Sequence, residues 1–155
     1  MTGTIDARLA ELGIDLPEAA APAANYVPYV VSGNLVYVSG QVPVVNGQIG
    51  YQGKVGAEYT TEEGAEVARV CGLNIIAQVK AACGGDLDRV QRVVKLGGFV
   101  NCVDGFAEQP VVINGASDLM VEVFGDKGRH ARFAVGTNAL PRNAAVEIDA
   151  VVEIR

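Results

Sequence analysis

Residues 60–102, TTEEGAEVARVCGLNIIAQVKAACGGDLDRVQRVVKLGGFVNC, carry two hydrophobic periods in succession, and that change decides the fold. Thr60 and Glu63 have the spacing of a capping box, in which each side chain satisfies a backbone amide of the same first turn. Ala65, Ala68, Cys71, Gly72, Ile75, Ile76, Val79, Ala82 and Cys83 then recur every three or four residues, so the predicted helix has one dry face. Gly84-Gly85 ends it. The small side chains on that stripe predict close approach to a sheet rather than a ligand pocket. Residues 91–102 alternate with a period of two, placing Val94, Leu96, Gly98, Val100 and Cys102 on one face of a long strand.

Toward the N-terminus, 26–31 reads as a strand, and Pro28 assigns it to an edge because proline cannot donate to a ladder. Ser32-Gly33-Asn34 turns the chain into strands at 35–39 and 42–45, and Asn46-Gly47 is a strong hairpin signal. Residues 50–56 read as an irregular glycine-rich loop or a weak strand. Residues 5–13 form a short amphipathic helix stopped by Gly13, and 16–24 is an extended Ala/Pro connector. Toward the C-terminus, Pro110 and Gly125 bracket a second long helix with the stripe Val112, Ile113, Ala116, Leu119, Met120, Val123 and Phe124.

Strands at 131–137 and 144–154 follow, joined through Asn138-Ala139-Leu140-Pro141-Arg142-Asn143, and are expected to pair antiparallel. The fold class is α+β: a mixed, mostly antiparallel sheet with two long helices on one face. In the last strand Val146, Ile148, Ala150, Val152 and Ile154 face the helices. The opposite face holds Val151, with Val93 and Phe99 from the strand at 91–102. A half-apolar sheet face without a cover predicts a homo-oligomer. Residues 1–24 read as an N-terminal extension and 25–155 as a single domain.

Composition excludes several functions. The 155-residue chain has a net charge of −6 and no basic run, which argues against nucleic acid as a partner. No apolar run is long enough for a membrane span and no secretion signal is present, so a cytoplasmic location is expected. Cys71, Cys83 and Cys102 have neither disulfide nor zinc spacing and read as buried apolar residues, and no metal site is expected. His130 is the only histidine, and without a Gly-x-Ser-x-Gly elbow a Ser-His-Asp triad has no support.

If Thr137 stands opposite Ala144, Arg132 falls opposite Asp149 and Ala134 opposite Glu147, with Arg132, Glu147 and Asp149 on one face. One reading is a cross-strand charge pair. The other is a ligand site, in which the planar guanidinium of Arg132 receives a carboxylate and Glu147 orients a water. Ser39-Gly40 at a strand end is either a turn or a ligand contact. Tyr29 is either a pocket wall or a core aromatic. Asn114 in the first turns of the second helix reads as a solvated or locally bonded side chain. His130, two residues before Arg132 on the same face, reads as a surface histidine.

Val27-Pro28-Tyr29-Val30, Val38-Ser39-Gly40-Gln41-Val42-Pro43, Ala131-Arg132-Phe133-Ala134-Val135, Ala139-Leu140-Pro141 and Val146-Glu147-Ile148, in that order, resemble the Rid family of reactive-intermediate deaminases. This family is also called YjgF-like and has the fold of bacterial chorismate mutase. The resemblance spans residues 25–155. It implies a trimer with a cleft at each subunit interface and hydrolysis of 2-imino or enamine acids, such as 2-aminoacrylate, to 2-keto acids and ammonia without a cofactor. It assigns Arg132 to the substrate carboxylate, Glu147 to a water or the substrate nitrogen, and Tyr29, Ser39, Gly40 and Asn114 to the pocket.

Ala134, a further candidate substrate-binding residue, stands where the best-known members carry cysteine, so thiol-dependent behaviour does not carry over. His130 replaces a usual proline, and Phe133 a small residue. Two other readings stand beside the deaminase. One is a non-catalytic trimer that binds a small carboxylate or acts as a regulator. The other is the ribonuclease or translation inhibitor role that the family name also carries, which the negative charge opposes.

Overall fold

The computed structural model describes residues 3–21 and 24–155. Thr60 Oγ1 accepts the Glu63 amide at 3.1 Å and the Glu63 carboxylate accepts the Thr60 amide at 3.0 Å, so the predicted capping box is in place. In chain order the elements are α1 (Thr4–Glu11), β1 (Tyr29–Ser32), β2 (Leu35–Gln41), β3 (Val44–Val45), β4 (Gln48–Ile49), α2 (Thr61–Ala82), β5 (Val90–Asn101), α3 (Gln109–Phe124), β6 (Ala131–Thr137) and β7 (Val146–Ile154). Asn46 and Gly47, both at positive φ, make the two-residue turn of the β3–β4 hairpin. The predicted connector at 16–24 has no regular structure where it is described, and its Pro22 and Ala23 lie outside the described residues.

The main sheet has the order β1-β2-β7-β5-β6. The expected hairpin of the last two strands does not form. β6 pairs parallel with β5, through a β5-α3-β6 crossover, while β7 lies between β2 and β5 and runs antiparallel to both. The burial pattern explains the exchange. β7 alternates strictly, with Val146, Ile148, Ala150, Val152 and Ile154 all buried, and two neighbours cover it; β6 is half-exposed and stays at the edge.

β5 spends eleven residues, Val90 to Val100, against the nine of β7, with register shifts at Val90/Arg92 and Val93/Lys95. The second shift leaves Val94 without a partner on β7 and turns Val93 toward the helices, where it is buried, so Val93 does not belong to the open face as expected.

Helices α2 and α3 cover one face of the sheet. Their small residues serve the helix–helix crossing as well as the sheet. A Cβ on Gly115 would run into the Ala65 carbonyl, and one on Gly72 would meet Leu119 Cδ2 at 2.9 Å. Gly98 of β5 likewise makes room for Ile113 of α3, whose Cδ1 a Cβ would meet at 2.6 Å. Cys71, Cys83 and Cys102 are buried and free, and the Cys71 thiol donates to the Val146 carbonyl.

α1 is held from outside its own sequence. The Asp88 carboxylate accepts the Thr4 and Ile5 amides, each at 2.9 Å, Lys80 pairs with Asp6 at 3.0 Å, and Leu9 enters the core. The other sheet face is open. Val30, Tyr37, Phe99 and Val135 lie on it with 51%, 47%, 39% and 42% of their surface exposed, enough apolar area to need an explanation. Among the described residues no helix is long and apolar enough to cross a membrane.

Candidate active site

Where β2 runs beside β7, Val38 pairs with Ala150 and Gln41 with Ile148, so Ser39 and Gly40 together stand opposite the single Asp149. This bulge re-aims the strand end. Ser39 donates its hydroxyl to the Val27 carbonyl at 2.8 Å and its amide to the Pro28 carbonyl at 2.9 Å, which ties the segment ahead of β1 to the bulge. Gly40 has no Cβ, and the Glu147 carboxylate occupies that space: a Cβ there would lie 3.1 Å from both Cδ and Oε2.

Around this contact is a pocket of about 400 Å³. Ser39, Gly40, Gln41 and Glu147 line it, together with Pro28, Tyr26, Ala20, Ala21 and Arg142. Burial pushes the Glu147 pKa up, and the Asp149 carboxylate two residues along the strand adds to the effect. A carboxyl raised in this way sits closer to neutrality and is better suited to pass a proton.

Arg132 is elsewhere. It pairs with Leu96, which pairs with Ala150, so it lies on the helix face of the sheet. Glu147 pairs with Phe99, which pairs with Val135, on the open face. The expected placement of Arg132, Glu147 and Asp149 on one face is therefore incorrect, as are the pairings Arg132–Asp149 and Ala134–Glu147; β5 separates the two strands. Only Glu147 and Asp149 share the open face. Arg132 Nη1 donates to Ser117 Oγ at 3.0 Å and Nη2 to the Pro110 carbonyl at 3.3 Å, both on α3.

Asn114, exposed, lies between those two positions on the same side of α3. Ala134, two residues along β6, packs against the core. Tyr29 pairs with Val38 and packs against the core at the opposite edge of the sheet, outside the pocket lining. His130 is half-buried and bonded through both ring nitrogens, unlike the surface histidine expected.

One chain thus brings together Ser39, Gly40 and Glu147, and separately Arg132, Asn114 and Ala134. Gln41, Tyr26 and Arg142 of the pocket wall were not singled out from the sequence. Arg142 had a signal: a non-glycine residue at φ 55°, followed by Asn143 at φ 58°, strains the turn beside the pocket, and the Pro141-Arg142-Asn143 run marks that turn. Among the described residues no cluster of His, Cys, Asp and Glu is arranged to hold a metal ion.

The chain is thus an α+β sheet with its helices on one face and a small pocket at a bulged strand end. A family model described as "YjgF/chorismate_mutase-like, putative endoribonuclease" matches residues 6–154, and the chain belongs to that YjgF/chorismate-mutase-like family. Protein TCP17 of Trypanosoma cruzi is 54% identical over 154 residues, covering 99% of this chain and 96% of that protein. The crystal structure of Atu1372 from Agrobacterium tumefaciens is similar at 54% identity and a TM-score of 0.91, covering 97% of this chain and 92% of that one. Escherichia coli TdcF, solved with bound serine, shares the fold at 22% identity and a TM-score of 0.63, over 89% of this chain and 94% of that one.

Proposed function

We propose that this protein hydrolyses small 2-imino or enamine acids, such as 2-aminoacrylate, to 2-keto acids and ammonia, in clefts between the subunits of a homotrimer. The observation that carries the reading is Glu147, a half-buried carboxylate with raised proton affinity against Gly40 in a pocket sized for a small metabolite. Its complement is Arg132, whose fork has donors left over after its two bonds to α3. The two half-sites lie on different parts of the surface, so a head-to-tail contact that closes into a ring joins one subunit's Arg132 to the next subunit's pocket. Burial of the open, apolar sheet face supplies a driving force for that ring.

In the cleft, the guanidinium holds the substrate carboxylate and fixes the C=N carbon beside a water. An enamine acid first tautomerises to the imine. Glu147 takes a proton from the water as the C–O bond forms and passes it to the nitrogen, giving a carbinolamine, then takes the hydroxyl proton and passes it to the amine as the C–N bond breaks. Water adds across the bond, ammonia leaves, and no electrons are exchanged. Serine, bound by TdcF, is likewise a three-carbon molecule with a carboxylate. The endoribonuclease in the family description has no support in a chain of net charge −6 without a basic run.

The test is ammonia release from 2-aminoacrylate generated in situ, comparing the protein with Arg132→Ala. A loss of at least about 100-fold is expected when the carboxylate anchor is removed. Equal rates overturn the reading. Saturable binding of 2-oxobutyrate with no imine turnover would favour the non-catalytic carboxylate-binding protein instead.

A further inference from the structure

Among the described residues no acid pairs with Arg132. Its Nη1 donates to Ser117 Oγ at 3.0 Å, Ser117 Oγ lies 2.9 Å from His130 Nε2, and His130 Nδ1 lies 2.6 Å from the Gly128 carbonyl oxygen. The carbonyl can only accept, so Nδ1 carries a proton. In the neutral ring Nε2 is then an acceptor, and the Ser117 hydroxyl must give it its hydrogen. That leaves the serine lone pairs free for the guanidinium. Each link from Arg132 to Gly128 has one donor and one acceptor, and the direction is the same throughout.

We propose that Ser117 and His130 are positioning residues for Arg132, a relay that holds the guanidinium fork in the one orientation able to receive a small carboxylate. The inference rests on the functional reading above, which makes Arg132 the carboxylate anchor. An arginine side chain on an edge strand has many rotamers, and ordering it costs binding energy unless the protein has already done so. The Pro110 carbonyl at 3.3 Å alone would leave it free to pivot. With Ser117 as a second fixed acceptor, about two turns further along α3, both terminal nitrogens are pinned on their inner sides. His130 in turn stops the serine hydroxyl from rotating toward solvent. The relay spans two elements, α3 and the start of β6, and so also sets the depth at which the strand presents Arg132.

The experiment uses the full chain as assembled in solution, with 2-oxobutyrate as the probe in a calorimetric titration. Ser117→Ala is expected to weaken binding about tenfold, the scale of one lost orienting hydrogen bond to a charged group. Ser117→Thr, which keeps the hydroxyl, should restore affinity to within about twofold, a rescue that a generally loosened fold would not show. Arg132→Ala should abolish binding.

Unchanged affinity in Ser117→Ala, with binding lost in Arg132→Ala, overturns the positioning role and leaves the anchor standing. Unchanged affinity in Arg132→Ala overturns both. A second readout needs no variant. Because His130 is the only histidine, the ring 15N spectrum of the protein reports it alone. In its neutral form the ring should show the Nδ1-protonated tautomer, and the Nε2-protonated pattern would refute the relay.

Discussion

Arg132 and Glu147 leave the same sheet from opposite faces, two strands and three residue rows apart. At the usual strand and residue spacings each of those offsets is about 10 Å, more than a three- or four-carbon acid can bridge. The consequence is that a site using both side chains belongs to an assembly, whereas each half of it is already built in one chain.

Assembly is therefore the first thing to measure. Sedimentation at micromolar concentration should return three times the 16.1 kDa chain mass. Phe99→Glu puts a charge in the middle of the open face, where Phe99 packs edge-on against Phe133 at 5.3 Å, and should shift the distribution to monomer with the fold retained. A monomer for the unaltered chain would remove the assembled site.

Glu147 makes a prediction with a sign. Its pKa is raised in the folded protein, so the native state binds more protons than the unfolded chain between the two values, and stability falls as pH rises through that window. Glu147→Gln removes the cost of the charge. Its melting temperature should equal or exceed that of the parent at pH 7, and the advantage should vanish at acid pH, where the parent carboxyl is protonated. Ammonia release by the same variant should drop by about 100-fold. A variant less stable at pH 7 than at acid pH, relative to the parent, would contradict the environment described.

Gly40 separates site from scaffold. A methyl group there would press on the Glu147 carboxylate at 3.1 Å, a contact that a side chain can relieve by rotating. Gly40→Ala is expected to cost less than about 1 kcal/mol in urea unfolding, because the backbone needs no left-handed conformation. It should nevertheless reduce turnover clearly, since the carboxylate is displaced. Full activity would mean that the position of Glu147 is not critical.

Gly115 is the opposite case. Here a methyl group meets backbone, the Ala65 carbonyl of the crossing helix, and no rotamer relieves it. Gly115→Ala should force α2 and α3 apart and destabilise by about 3 kcal/mol in urea unfolding, the upper range for overpacking. A neutral result would show that the crossing has slack.

Local rules made much of this legible in the residues. The capping box at Thr60 and Glu63, the Asn46-Gly47 hairpin, the bracket of Pro110 and Gly125 around α3 and the buried alternation of β7 each depend on neighbours a few positions apart. Ser39, Gly40 and Glu147 were marked by their motifs, and the structure places them in one pocket. Less legible were the bulge that aims Ser39 and Gly40, the extra residue Val94 that turns Val93 inward, and the bonding of His130, because each is defined by a partner far away in the chain.

By itself the sequence determined the elements, their order, the two dry helix faces and membership of the YjgF/chorismate-mutase-like family, since periodicity and motif spacing are properties of a continuous chain. Only the tertiary structure decided which strands are neighbours. The short turn at 138–143 favours a hairpin locally, but β7 covers its alternating apolar face better between two strands than at an edge, and β6 is left to pair in parallel with β5. That single choice put Arg132 under α3 and Glu147 on the open face, because a strand inserted between two others changes every cross-strand partner while leaving each strand's own periodicity untouched.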